Sequence, residues 1–158
     1  MAELDRIDRQ ILAELQRDGR LSNQELARRV SLSPSPCLRR VRQLEEAGII
    51  GSYVAILDPK RVGLPVIAYA HISLDNHHPD TVESFDELVA ELPEVMECCA
   101  MAGEYDYLLK VRVASMEEYE RFLRHGLLQH VGVRAVNTSF VLSQRKYTTA
   151  LPVEELRV

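Results

Sequence analysis

The residues of this 158-residue chain best equipped for chemistry gather in two places. In the first, Arg39, Arg40, Arg42 and Gln43 stand close together, with Ser33 and Ser35 just before them and Ser22 and Asn23 further upstream. A guanidinium can take both acceptors on the major-groove edge of guanine, and a carboxamide can do the same with adenine. Such groups also bind phosphate oxygens, which positions a protein on a duplex without reading its sequence. In the second place, Gly103-Glu104-Tyr105-Asp106 sets two carboxylates on a short turn opened by glycine. Successive backbone N–H groups in a turn can hold an anion, and a carboxylate can hold an ammonium. Those are the two ends of an α-amino acid. Asp106 could equally serve only to satisfy turn N–H groups, a frequent role for aspartate in hairpins.

Other polar groupings point away from catalysis. Cys37, Cys98 and Cys99 show no C-x-x-C spacing and no patterned histidines, so they are expected as buried small side chains rather than metal or redox groups. His77-His78 precedes Pro79 in a loop and reads as solvated, while His125 and His130 flank a helix end as polar surface. No nucleophile with a base and orienting group, no glycine-rich phosphate loop and no spaced carboxylate pair is present. The expectation is no enzyme, no cofactor and no metal.

Composition narrows the setting. With 46% hydrophobic and 27% charged residues the chain reads as globular and soluble. No apolar run approaches the roughly 20 residues of a membrane-spanning helix, and MAELDRIDRQ has no apolar core of a secretory signal. Three cysteines make no disulfide framework, so a cytoplasmic protein without membrane contact is expected. The charge is uneven. Residues 1–61 carry 11 Lys+Arg against 9 Asp+Glu, whereas residues 62–158 carry 8 against 15. Two modules with different partners follow, the second repelling any polyanion.

The elements that must position the arginines are three helices. Asp5 and Asp8 suit a helix start, and Ile7, Ile11, Leu12 and Leu15 recur on one face until Gly19. Ser22-Asn23-Gln24-Glu25 has the form of a capping box, opening a short helix that buries Leu26, Ala27 and Val30. A turn through Ser31-Leu32-Ser33 leads to Pro34-Ser35-Pro36, prolines that fit a first helical turn. The third helix runs to about Ala47, with Gly48 placed for a left-handed cap. Two helices joined by a tight turn after a first is the helix-turn-helix arrangement. At 100° per residue, Cys37, Leu38, Val41 and Leu44 fall on the buried side of helix three. Ser35, Arg39 and Gln43 lie near the outer midline for base edges, with Arg40 and Arg42 further round for phosphates. Ser22, Asn23 and Ser33 can join them at phosphates.

The remainder reads as an α+β module. Gly51–Leu57 is predicted as a strand within a connector and hinge over 51–65, broken by Asp58-Pro59-Lys60 and Gly63-Leu64-Pro65. Strands are then predicted at Val66–Leu74, Val95–Met101, Tyr107–Val113 and Ala135–Leu142, with helices at Asp80–Leu92 and after the Ser115-Met116-Glu117-Glu118 box. The order βαββαβ is ferredoxin-like. Domains are therefore expected at 1–50 for DNA binding and 66–147 for the ferredoxin-like module, with a tail over 148–158. One sheet face would be helix-covered and the other, with Ile67, Tyr69 and His71, left bare. A homodimer covering that face is expected. Two recognition helices about 34 Å apart would then enter successive major grooves of double-stranded DNA.

The stretch DRIDRQILAELQRDGRLSNQELARRVSLSPSPCLRRVRQLEEAGII, followed by MAGEYDYLL, LLKVRV and KYTTALP, resembles the Lrp/AsnC (feast/famine) transcription regulators. The likeness runs from about Leu4 to Pro152. It implies an N-terminal DNA-binding domain and a C-terminal amino-acid-sensing domain that also drives assembly, with dimers commonly associating to octamers. The family's G-x-x-D effector loop at a subunit interface maps onto Gly103, Glu104, Tyr105 and Asp106, and Thr138 and Ser139 on the last strand could complete the pocket. Many relatives have Gly where this chain has Ser31; if that position is left-handed, serine costs roughly 1 kcal/mol. Two rival functions are an amino-acid-binding regulatory subunit, which would have no reason for Arg39, Arg40 and Arg42 on a helix started by prolines, and an architectural DNA binder indifferent to sequence.

Overall fold

The computed structural model describes residues 4–155; the outermost residues of the expected first domain (1–3) and tail (156–158) lie outside the described residues. The chain divides into two compact units, one made of residues up to Ile56 together with those from Lys146 onward, the other of Leu57–Arg145.

In the first unit, α1 spans Arg6–Arg17, α2 Asn23–Arg29 and α3 Pro34–Glu46. The Asp5 carboxylate accepts from Asp8 N–H at 2.9 Å and Asp8 accepts in return from Asp5 N–H at 3.2 Å. That reciprocal box satisfies two orphan donors of α1. Ser22 Oγ accepts from Glu25 N–H at 3.2 Å, but the Glu25 carboxylate turns to Arg28 and Arg29 instead of closing a box. Ile11, Leu12, Leu26, Ala27, Val30, Cys37 and Leu44 form the core, with Ile7, Leu15 and Val41 packed on its margin. Leu38 departs from the expected buried side: it is exposed and lines a shallow cavity with Leu15, Leu21, Val41 and Tyr53.

Both α2 and α3 end in the same way. Ile49 N–H reaches Leu44 C=O at 3.0 Å and Gly48 N–H reaches Glu45 C=O at 2.9 Å, with Gly48 at φ 69°. Leu32 N–H reaches Ala27 C=O at 2.8 Å and Ser31 N–H reaches Arg28 C=O at 3.3 Å, with Ser31 at φ 57°. These are two Schellman caps, and each needs a left-handed residue at the same position. Glycine supplies it freely in one; serine stands there in the other, in the turn that aims α3.

The chain returns to this unit at its end. Gln16 clasps the Leu151 backbone from both sides, donating from Nε2 to its C=O at 3.1 Å and accepting from its N–H at 2.7 Å. Val153 packs against the three-helix core. No local periodicity or capping pattern announces this clasp between residues 135 apart.

In the second unit, β1 (Val66–Leu74), α4 (Pro79–Glu91), β2 (Val95–Ala100), β3 (Tyr107–Val113), α5 (Met116–Phe122) and β4 (Val133–Phe140) follow in the expected order. The sheet is antiparallel with order β2-β3-β1-β4, the ferredoxin-like arrangement. Ala68, Ala70, Ile72, Leu74, Leu109 and Val111 meet Phe85, Tyr119, Phe122 and Leu127 in its core. Side chains directly across a ladder share a face. The face away from the helices therefore carries Ile67, Tyr69, His71 and Ser73 beside Leu108, Lys110, Arg112, Asn137 and Ser139, a mixed surface rather than a continuous apolar one, and Ile67 on it is buried rather than bare. Cys98 and Cys99 are exposed rather than buried, because β2 is an edge strand.

The segment 51–57 forms no strand in this chain. A strand exists only through ladder partners, and no described strand runs beside it. Its side chains are left exposed, Val54 at 77%.

Candidate functional site

The outer face of α3 is held in place from three directions. Arg40 donates to Asp5 and to Asp8 at 2.7 Å each and is only 29% exposed. Arg40, expected at phosphates, is in the fold the tie between α3 and the start of α1. The two carboxylates that draw it in are those already gathered by the capping box, and Asp5 lies below the usual carboxylate range chiefly through the Asp8 N–H bond, with Arg40 adding to the effect. Asn23, also expected at phosphates, donates from Nδ2 to Pro34 C=O at 2.8 Å, fastening α2 to the first turn of α3. The third constraint is the cap at Ser31.

Around that face the neighbouring arginines are neutralised. Arg28 pairs with Glu25 at 2.8 Å, and Arg29 with Glu14 at 2.9 Å and Glu25 at 3.0 Å. Arg39 and Arg42 are exposed and form no ion pair among the described residues; Ser33, Ser35 and Gln43 are exposed beside them. Ser33 is the N-cap residue of α3, yet its hydroxyl makes no capping bond. Ser22 is exposed at the start of α2. The structure therefore presents Ser33, Ser35, Arg39, Arg42 and Gln43 on one element, and turns Arg40 and Asn23 inward.

In the second unit the turn between β2 and β3 is closed by Met101 N–H to Asp106 C=O at 2.8 Å. Asp106 N–H continues the ladder to Ile72 C=O at 2.8 Å. Its carboxylate is gripped twice. Oδ2 accepts from Leu74 N–H at 2.7 Å, and Oδ1 meets His77 Nε2 at 2.7 Å. His77 first, then the Leu74 N–H, holds this carboxyl below its ordinary value. Gly103 and Glu104 are exposed, and the Tyr105 ring lies on His71 with centroids 4.9 Å apart.

Comparison with known proteins agrees with both halves of this description. Residues 67–151 match the family model described as the Lrp/AsnC ligand binding domain, and residues 4–50 match one described as winged helix-turn-helix DNA-binding. The chain is 44% identical over 152 residues to the leucine-responsive regulatory protein of Escherichia coli, covering 96% of this chain and 93% of that one. The chain belongs to the Lrp/AsnC family.

Its fold is that of solved Lrp/AsnC regulators. A transcriptional regulator from Neisseria meningitidis, in complex with L-methionine, superposes with a TM-score of 0.92 at 46% identity, over 96% of this chain and 97% of that one. The feast or famine regulatory protein of Mycobacterium tuberculosis, complexed with L-methionine, gives 0.82 at 32% identity, over 94% and 99%. The protein is a transcriptional regulator with a helix-turn-helix DNA-binding domain and an Lrp/AsnC ligand-binding domain.

Within one chain, Thr138 and Ser139 lie away from the loop. Thr138 pairs with Ala70 on the helix-covered face, where its hydroxyl meets Tyr119 OH at 2.6 Å. β4 and β3 flank β1 on opposite sides, so within one chain Thr138 is not beside Asp106. Ser139, opposite Tyr69, is exposed on the open face. His77 is solvent-exposed, as expected, and it also contacts Asp106, a partner that the sequence does not announce. A histidine in a polar loop looks solvated, and only the β1 register, which puts the strand end beside Asp106, reveals its partner.

Proposed function

We propose that this regulator reads a specific duplex through Ser35, Arg39 and Gln43, with Arg42, Ser22 and Ser33 at phosphates, and that a small amino acid bound at the Gly103-Glu104-Tyr105-Asp106 loop controls that binding. The observation that carries the reading is the exposed cluster of Arg39, Arg42 and Gln43 on α3. Arg28, Arg29 and Arg40 are paired with carboxylates, while Arg39 and Arg42 face out without one. On α3 itself Arg40 is the arginine tied to carboxylates, which leaves Arg39, Arg42 and Gln43 together and exposed.

At the loop, Gly103, Glu104 and Tyr105 N–H groups make no backbone hydrogen bond among the described residues, leaving donors for a carboxylate beside the Asp106 anion. Relatives solved with L-methionine, and a leucine-responsive one, make apolar amino acids the first to test. The working unit is a homodimer that associates further, to an octamer. The unpaired segment 51–57, with Tyr53, Val54 and Ile56 in solvent, supports a second copy supplying the missing ladder. Ligand acts by binding assembly or hinge states with different affinity, the hinge lying in 51–65. The reading is of a non-enzymatic, cytoplasmic protein; no described helix is long and apolar enough to cross a membrane.

The test is a salt titration of binding to a duplex selected from a random pool and to its scrambled counterpart. Selective binding is expected; equal binding indicates an architectural protein, and none indicates a regulatory subunit. A thermal-shift screen of the twenty amino acids identifies the effector by mass action. Asp106→Ala removes the amino-acid response and leaves the dimer, and an unaltered response refutes the loop assignment.

A further inference from the structure

We propose that His77 is a built-in competitor at the effector loop: its imidazole sits on the Asp106 oxygen that the ammonium of an incoming amino acid must take, so binding requires the ring to swing away. This rests on the reading of Asp106 as the effector carboxylate. Of its two oxygens, Oδ2 is committed to the Leu74 backbone N–H at 2.7 Å and cannot be freed without breaking the end of β1. Oδ1 is the one a ligand can claim, and His77 Nε2 holds it at 2.7 Å.

The ring is free to leave. His77 is 73% exposed, and the loop is anchored on both sides of it. Asp75 N–H is bonded to Gly132 C=O at 2.9 Å, and Asn76 Oδ1 accepts from His78 N–H and Thr81 Oγ1, both at 2.9 Å. The imidazole can therefore rotate while Asp75, Asn76 and His78 hold the loop and the start of α4. Besides His77, Arg134 of β4 acts on Asp106 electrostatically. Tyr105 is occupied by its ring contact with His71. His77 is thus the group that stands between the carboxylate and a ligand, and it sets the affinity at which the effector is sensed.

The experiment measures binding of L-methionine and L-leucine by calorimetry to the full-length protein and to its His77→Ala and Asp106→Asn variants. Ring signals of His77 are followed by NMR in the unsubstituted protein. Removing the competitor is expected to tighten binding about two- to fivefold, the range of one exposed polar contact, and ligand should move the His77 signals. An unchanged or weaker affinity in His77→Ala, with binding lost in Asp106→Asn, overturns the competitor and leaves the effector reading standing. Undiminished binding by Asp106→Asn, or no binding of either amino acid to any form, overturns both.

Discussion

The clasp between the chain's end and α1 makes a quantitative prediction. Truncation after Ala150 removes three things from the first unit. Val153 is partly buried against the helical core, so about half of the roughly 1.5–3 kcal/mol of a fully buried valine is lost, near 1 kcal/mol. The two Gln16–Leu151 hydrogen bonds lie at the surface and contribute about 0.5 kcal/mol each, the low end for such bonds. Arg17 and Glu154 are 3.7 Å apart and more than half exposed, a pair worth close to nothing. The sum is about 2 kcal/mol, roughly a thirtyfold change in the folded ratio. For a unit of this size that lowers the midpoint by on the order of 10 °C. Residue-resolved hydrogen exchange separates the two units. Amides of α1 should exchange about thirtyfold faster in the truncated protein, while those of β1 and β3 keep their rates. Gln16→Ala should cost about 1 kcal/mol alone and almost nothing on top of the truncation, since it acts through the same contact. Full protection of α1 in the truncated chain would refute the clasp as a stabilising element.

Other consequences are narrower. Arg39→Ala should weaken selective binding by about 1–3 kcal/mol and relax preference at one position, measured as the ratio between selected and scrambled duplex. Arg40→Ala should behave differently, lowering the stability of the first unit by about 1 kcal/mol in denaturant melts, because it strands Asp5 and Asp8; an effect confined to the salt slope would contradict its inward placement. Ser31→Gly should stabilise by about 0.5 kcal/mol in the same melts, as relief of roughly 1 kcal/mol of left-handed strain outweighs the freedom glycine adds to the unfolded chain. Asp106 is held below its ordinary value of 3.8, so its contribution to stability is complete above that pH and drains away as pH falls through the lowered value. The stability difference between the unsubstituted protein and Asp106→Asn should therefore be flat near neutrality and shrink below about pH 4.

What was legible in the sequence was whatever local periodicity and capping chemistry encode. The alternation of Tyr107, Leu109, Val111 and Val113 placed β3 to the residue, and all four are buried. Gly48 announced the cap of α3, and Ser31 was marked as a position where serine would be strained, as its φ of 57° bears out. Registers were not legible. The β4 strand begins two residues earlier than its β-branched run suggests, because pairing with Leu74 draws in Val133. Long-range polar partners were hidden for the same reason: Arg40 and Asp5 are 35 residues apart, and Gln16 and Leu151 are 135 apart. A helical wheel can say that an arginine faces outward, but not that two carboxylates from another helix's cap will be waiting there.

The internal fastening of the first unit constrains how control can work. The Arg40 tie, the Asn23 bridge to Pro34 and the two Schellman caps over-determine where α3 lies on α1 and α2. Packed elements held by several independent contacts do not deform gradually. A ligand at a loop of the other unit therefore has little leverage over the shape of the reading face itself. What it can bias is how copies of that rigid face are arranged, since an effector changes an equilibrium only by binding its states unequally. The connector over 51–65, which forms no strand in its own chain, is where such an arrangement would have freedom to vary. Rigid readers on variable spacing make half-site separation, rather than base contacts, the quantity an amino acid would tune.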